Sequence, residues 1–129
     1  MPANGNGAST FYLDDMIDFA GKVLVYTNGL DQAGFVANDL TYDATLRNLE
    51  LIGEAATHIP EQVRAAHPEI PWRMIIATRN RLIHGYLGID DDILLSIIRD
   101  DVPELLPRLK ALKSATSRHP TQCGTPRVP

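Results

Sequence analysis

The sequence predicts an all-α fold, a single-domain bundle of five or six helices. Apolar residues recur at helical spacing in segment after segment. No segment shows sustained apolar–polar alternation or a two-residue hairpin turn, so no sheet is expected. The 129 residues amount to one domain, with 44% apolar and 22% charged residues. That balance supports a core and excludes a chain disordered throughout.

From Thr10 to about Thr27, Leu13, Met16, Ile17, Ala20, Val23 and Leu24 form one stripe. Ser9 or Thr10 is the expected cap, with Asp14 and Asp15 near the positive dipole end. Asn28-Gly29 is the stop. A short turn is expected at Phe35 to Leu40, then a helix from about Thr41 to Ile59 on Leu49, Ile52, Ala56 and Ile59. Pro60 ends it and opens a short helix to Ala66, which His67-Pro68 stops.

Ile70-Pro71-Trp72 opens the next helix, which runs through Ile75, Ile76, Leu82 and Ile83 to His84. Gly85 is read as the left-handed residue just past its end, and Trp72 as a core anchor. Asp90 to Arg99 is a further helix with acids at its N-terminus. The last helix carries Leu105, Leu106, Leu109 and Leu112, and Pro103 and Pro107 predict an irregular first turn. Residues 1–9 and 116–129 are rich in Pro, Gly, Asn, Ser and Thr. They are read as disordered ends of a folded domain spanning 10–115.

Composition narrows function. No run approaches the ~20 apolar residues of a membrane span, and the first nine residues carry no basic patch before an apolar stretch. A soluble, cytoplasmic protein with no membrane partner is the expectation. The single Cys123 excludes an internal disulfide and a multi-cysteine zinc site. No histidine pair has metal-ligand spacing, so no metal is expected, and His58, His67 and His119 are read as ordinary. A net charge of −4 excludes a broad basic surface, so any nucleic acid needs a local basic site. Aromatics at 6% argue against a base-stacking platform.

That local site is Arg79-Asn80-Arg81-Leu82-Ile83-His84-Gly85-Tyr86. Positions 72–84 hold Arg73, Arg79 and Arg81 and no acid. Arg79 offers a donor fork for phosphate, and His84 in a last helical turn can move protons near neutral pH. Five residues apart, the two stand about 140° apart on an ideal helix. They meet either through distortion of the helix end or through pairing of two copies. An arginine and a histidine there also serve simply to cap carbonyls. A second polar set is Arg47, Asn48, Glu50 and Glu54. Either Arg47 and Glu50 pair on the surface, or Arg47 and Asn48 border a cleft, or the acids orient Arg79. The acidic runs at Asp90 to Asp92 and at Asp100-Asp101 are read as helix N-terminal charge.

Three blocks in order carry a resemblance: Arg47-Asn48-Leu49-Glu50-Leu51-Ile52-Gly53-Glu54-Ala55, Pro68-Glu69-Ile70-Pro71-Trp72, and Arg79 to Tyr86. From about Phe11 to Leu112 the chain resembles HEPN domains of the HepT type, the toxin half of bacterial HEPN/MNT toxin–antitoxin pairs. The resemblance implies an all-α homodimer in which R-x4-H motifs meet in a cleft and cleave RNA without a metal or cofactor. Arg79 and His84 match its catalytic pair, and Asn80 matches the polar residue after the arginine. Tyr86 matches the tyrosine to which the nucleotidyltransferase antitoxin transfers AMP, silencing the toxin in a type VII-like manner. The implied chemistry is attack of a ribose 2′-hydroxyl on phosphorus, with His84 moving protons and Arg79 stabilising charge. The rival reading is a non-catalytic helical module that binds the nucleotidyltransferase. A non-cleaving RNA-binding regulator is weaker, given the acidic charge.

Overall fold

The stripe that begins at Leu13 lies on α1, Pro2–Thr27, and its residues Leu13, Met16, Ala20 and Val23 are fully buried. The computed structural model describes residues 2–85 and 90–124, with side chains from 11 to 84 and from 90 to 115. Helix α1 begins at Pro2, so Ser9 and Thr10, expected as its cap, lie inside it. Proline suits a helix start because its missing N–H has no intrahelical partner there. The helix stops as expected: Gly29 turns the chain with φ +78°.

Helix α2, Gln32–Ala37, replaces the turn expected at Phe35 to Leu40. Asp31 caps it, accepting from the Gly34 N–H at 2.8 Å, and buried Phe35 anchors it. Helix α3, Asp39–Thr57, starts two residues before the expected Thr41 because Asn38 caps it, accepting from the Thr41 N–H at 3.0 Å. Helix α4, Glu61–Ala66, has Pro60 at its N-cap position. Helix α5, Trp72–Gly85, takes Gly85 as its last residue rather than the one beyond. Trp72 is the expected anchor: it is buried, and its Nε1–H donates to the His67 carbonyl at 3.0 Å.

Helix α6, Asp91–Ser96, is capped by Asp90 and runs into a π-helical turn, Ile97–Asp101. Helix α7, Val102–Gly124, follows without a break. The irregularity expected in the first turn of α7 therefore falls just before it. Pro103 has no N–H for the Arg99 carbonyl, and its ring crowds that carbonyl, so the wider turn forms there. Counting α6, the π turn and α7 as one bent rod, the described residues form six helices and no strand. This matches the expected bundle.

Helix α3 packs between α1 and α5, and α7 covers the other flank of α1. The core joins these stripes, with Leu49, Ile52, Ile75, Leu82, Leu94, Leu105 and Leu109 buried among others. Each such side chain contributes about 1.5–3 kcal/mol by leaving water. The helices extend past the expected domain limits of 10 and 115, but the described core starts at Leu13 and ends at Leu112. The side chains of His119 and Cys123 lie outside the described residues. Among the described residues no helix is long and apolar enough to cross a membrane.

Candidate active site

The α3–α5 contact positions the site. Gly53 on α3 is buried against α5. A Cβ there would stand 2.9 Å from Arg79 Cγ and 3.1 Å from the Ile75 carbonyl oxygen, and closer still to Arg79 Cβ. Only glycine permits this approach. It sets the arginine's stem against α3, one residue from Glu54.

Two contacts then fix the guanidinium. Arg79 Nη2 donates to Glu54 Oε1 at 2.6 Å, and Nη1 donates to Asn80 Oδ1 at 2.7 Å. The Arg79 side chain is 26% exposed, so its fork is anchored yet reachable. Of its five N–H groups two are used, one on each terminal nitrogen. The Nε–H is buried without a partner. Each terminal nitrogen keeps one N–H for an incoming oxyanion.

Glu54 also faces a histidine. His58 Nε2 lies 3.3 Å from Glu54 Oε2, and the His58 ring stacks on Tyr12 with centroids 4.7 Å apart. The Arg79 hydrogen bond first, and the His58 one second, hold the Glu54 carboxyl below the usual carboxylate range. His58, read from sequence as ordinary, thus sits one residue removed from Arg79. Its signal was the i, i+4 spacing from Glu54.

Of the candidate supporting residues, Asn80 touches Arg79 directly. Arg47 does not: its Nη1 pairs with Glu50 at 3.0 Å on the surface. Asn48 is buried, and its Nδ2 donates to the Ala44 carbonyl one turn back at 2.8 Å. Neither bonds to Arg79 or His84. Of the two acids left open by the sequence, Glu54 orients Arg79 and Glu50 does not.

His84 lies in the last turn of α5, exposed and without a hydrogen-bond partner among the described residues. The helix stays α-helical through Gly85, so no distortion swings Arg79 and His84 together. They remain about 140° apart around α5 and roughly 7.5 Å apart along it. His84 instead shares a stripe with Arg73, Ala77 and Asn80, which lie within about 60° of one another around the helix. Tyr86 lies outside the described residues. Among the described residues no group of three or more His, Cys, Asp or Glu is arranged to hold a metal ion.

The family model described as "Ribonuclease HepT-like" matches residues 16–112. A Methanocaldococcus jannaschii protein named "Putative RNase" is 37% identical over 94 residues, covering 73% of this chain and 86% of the relative. A Thermococcus cleftensis protein named "Probable ribonuclease HepT" is 34% identical over 102 residues, covering 79% and 93%. No solved structure matches the chain.

Proposed function

The chain belongs to the HepT-like ribonuclease family, and on that premise we propose that it is a metal-independent endoribonuclease with Arg79 and His84 as its reacting pair. One observation carries this reading. Arg79 is locked by Glu54 and Asn80 with two N–H groups to spare, five residues before an exposed histidine that has no hydrogen-bond partner among the described residues.

The chemistry follows from these groups. The ribose 2′-oxygen attacks the adjacent phosphorus and loses its proton to a base. The P–O5′ bond breaks, and O5′ takes a proton from an acid. The products carry a 2′,3′-cyclic phosphate and a 5′-hydroxyl. His84 serves as the proton carrier. The free N–H groups of Arg79 meet the non-bridging oxygens as charge builds on them. Because Arg79 was already ordered by Glu54, little reorganisation accompanies the reaction.

A straight α5 turns Arg79 and His84 away from each other, so one copy does not offer both to one phosphate. A homodimer that pairs His84 of one copy with Arg79 of the other meets that requirement. It also supplies two histidines, one as base and one as acid. Tyr86, two residues after His84 in sequence, is the proposed position for AMP transferred by a nucleotidyltransferase antitoxin. The adenylate would add bulk and negative charge beside the cleft and repel the RNA phosphate. This makes the protein the toxin of a toxin–antitoxin pair acting on RNA in the cytoplasm, with no cofactor of its own.

The test is cleavage of an RNA panel in EDTA by protein whose intact mass excludes AMP, wild type beside His84→Ala. The expected result is cyclic-phosphate ends from the wild type and none from the variant. Cleavage that persists in His84→Ala would remove the histidine from the mechanism. No cleavage by unmodified wild type would favour a binding module for the nucleotidyltransferase.

A further inference from the structure

An open hollow of about 800 Å³ lies between α4 and α5, with Arg64 on one side and Arg73 on the other. Ile76, Ala77, Asn80 and the buried Trp72 also line it. Arg64 spends its Nε–H on the Ile59 carbonyl at 3.1 Å, so its terminal nitrogens stay available. Arg73 is exposed and has no carboxylate at salt-bridge distance among the described residues. Elsewhere Lys22, Arg47, Arg79, Arg108 and Lys113 each hold a carboxylate. Arg64 and Arg73, neither with a carboxylate at salt-bridge distance among the described residues, stand against one lining glutamate, Glu61, and make the hollow locally positive on a chain of net charge −4.

Its direction gives it a purpose. Arg73, Ala77 and Asn80 form one stripe of α5, and the next residue on that stripe is His84. From Arg73 to His84 is eleven residues, about 16 Å of helix. The hollow therefore leads to the candidate proton carrier.

We infer that this hollow is a strand-binding subsite for single-stranded RNA, in which Arg73 and Arg64 hold backbone phosphates on one side of the bond cut at His84. The inference rests on the ribonuclease reading and adds to it where the flanking nucleotides lie. Arginine forks suit phosphate oxygens. The apolar floor of Ile76, Ala77 and Trp72 takes sugar and base edges without asking for sequence. The subsite accordingly sets affinity and strand register rather than base choice.

The chain contains one tryptophan, Trp72, which makes the hollow directly observable. The experiment titrates a labelled oligouridylate into cleavage-silent His84→Ala protein, following anisotropy and Trp72 emission together, over a range of salt. Arg73→Ala is made in the same background, with exposed Lys110→Ala on α7 as the control. Binding is expected to change Trp72 emission. Arg73→Ala should weaken affinity roughly fivefold and reduce the slope of log affinity against log salt by about 0.7. Lys110→Ala should do neither. An Arg73→Ala protein with unaltered affinity, or equal losses in both variants, would overturn the subsite. So would displacement of the RNA by polyglutamate at equal affinity, which would assign the hollow to an acidic protein partner. Wild-type cleavage of the same RNA reports on the ribonuclease reading separately. Cleavage with an inert Arg73 refutes the subsite alone, whereas neither cleavage nor binding refutes both.

Discussion

Replacing Gly53 with alanine tests whether the α3–α5 approach holds the arginine. The added Cβ would lie 2.9 Å from Arg79 Cγ. Carbon atoms prefer about 3.5–4.0 Å, so the overlap with Cγ is roughly 0.6–1.1 Å, and it is larger with Arg79 Cβ. The obstructing atoms are the stem of Arg79 and the Ile75 backbone oxygen, not a flexible side-chain tip, so α5 itself must give way. Overpacking of this kind costs about 1–3 kcal/mol, and Gly→Ala in a helix returns about 1 kcal/mol. A net loss of up to about 2 kcal/mol follows, or up to roughly 10 °C in Tm for a chain of this size. Displacing a reacting group by about 1 Å lowers kcat by about 100-fold. Gly21 on α1 is the internal control, since nothing lies within 4 Å of the Cβ it lacks. Gly21→Ala should raise stability by about 0.5–1 kcal/mol and leave cleavage unchanged. Thermal unfolding and RNA cleavage on both variants decide the matter. A Gly53→Ala protein as stable and active as Gly21→Ala would refute the close-approach reasoning.

Three further outcomes are expected. Thr45 is fully buried, and its Oγ1 has no partner. Thr45→Val should therefore stabilise by about 1 kcal/mol, seen as a higher Tm, and a lower Tm would show that the hydroxyl is satisfied. Glu54→Gln should lower kcat roughly tenfold with little change in KM, as expected of a group that aims Arg79. The folded pKa of Glu54 lies below 4.5, so any stability it adds is present at pH 7 and disappears as the pH falls through that folded value. The Tm gap between wild type and Glu54→Gln should close in acid; a gap that widens would contradict the pairing. Asp101 is shifted the other way, raised above 3.8 first by burial and then by Asp100 and Glu104. Its ionised form weakens the fold above its folded pKa, so Asp101→Asn should raise Tm at pH 7 and lose that advantage below about pH 3.8. A constant difference across pH would point to side-chain packing instead.

Much of the fold was legible because its cues are local. The Leu13–Met16–Ala20–Val23 stripe, the Asn28-Gly29 stop and the Pro60 break each act within a turn or two of helix. Caps were harder to read. Asn38 and Asp31 start helices that apolar spacing alone placed late or missed, because a cap is one side chain and has no period. The π turn was half legible: Pro103 announces a missing hydrogen bond but not on which side the helix relaxes. In the site, the spacing of Arg79 and His84 was enough to set them on different faces. Arg47 and Asn48 looked equally eligible in sequence, and the structure gives them partners on their own helix.

By itself the sequence determined the long helices, most of their stops and the single basic stretch in an acidic chain. Each depends on residues within one or two turns, where the rotation per residue is constant. Tertiary structure decided which acid meets Arg79. Glu50 and Glu54 are one turn apart on the same helix, and Glu54, twenty-five positions from Arg79, is the one that touches it. The choice follows from where two helices cross, which a missing Cβ at Gly53 permits and no local periodicity encodes. Tertiary structure likewise brings Arg64 of α4 and Arg73 of α5 to the lining of one hollow, a neighbourhood that helical spacing does not encode.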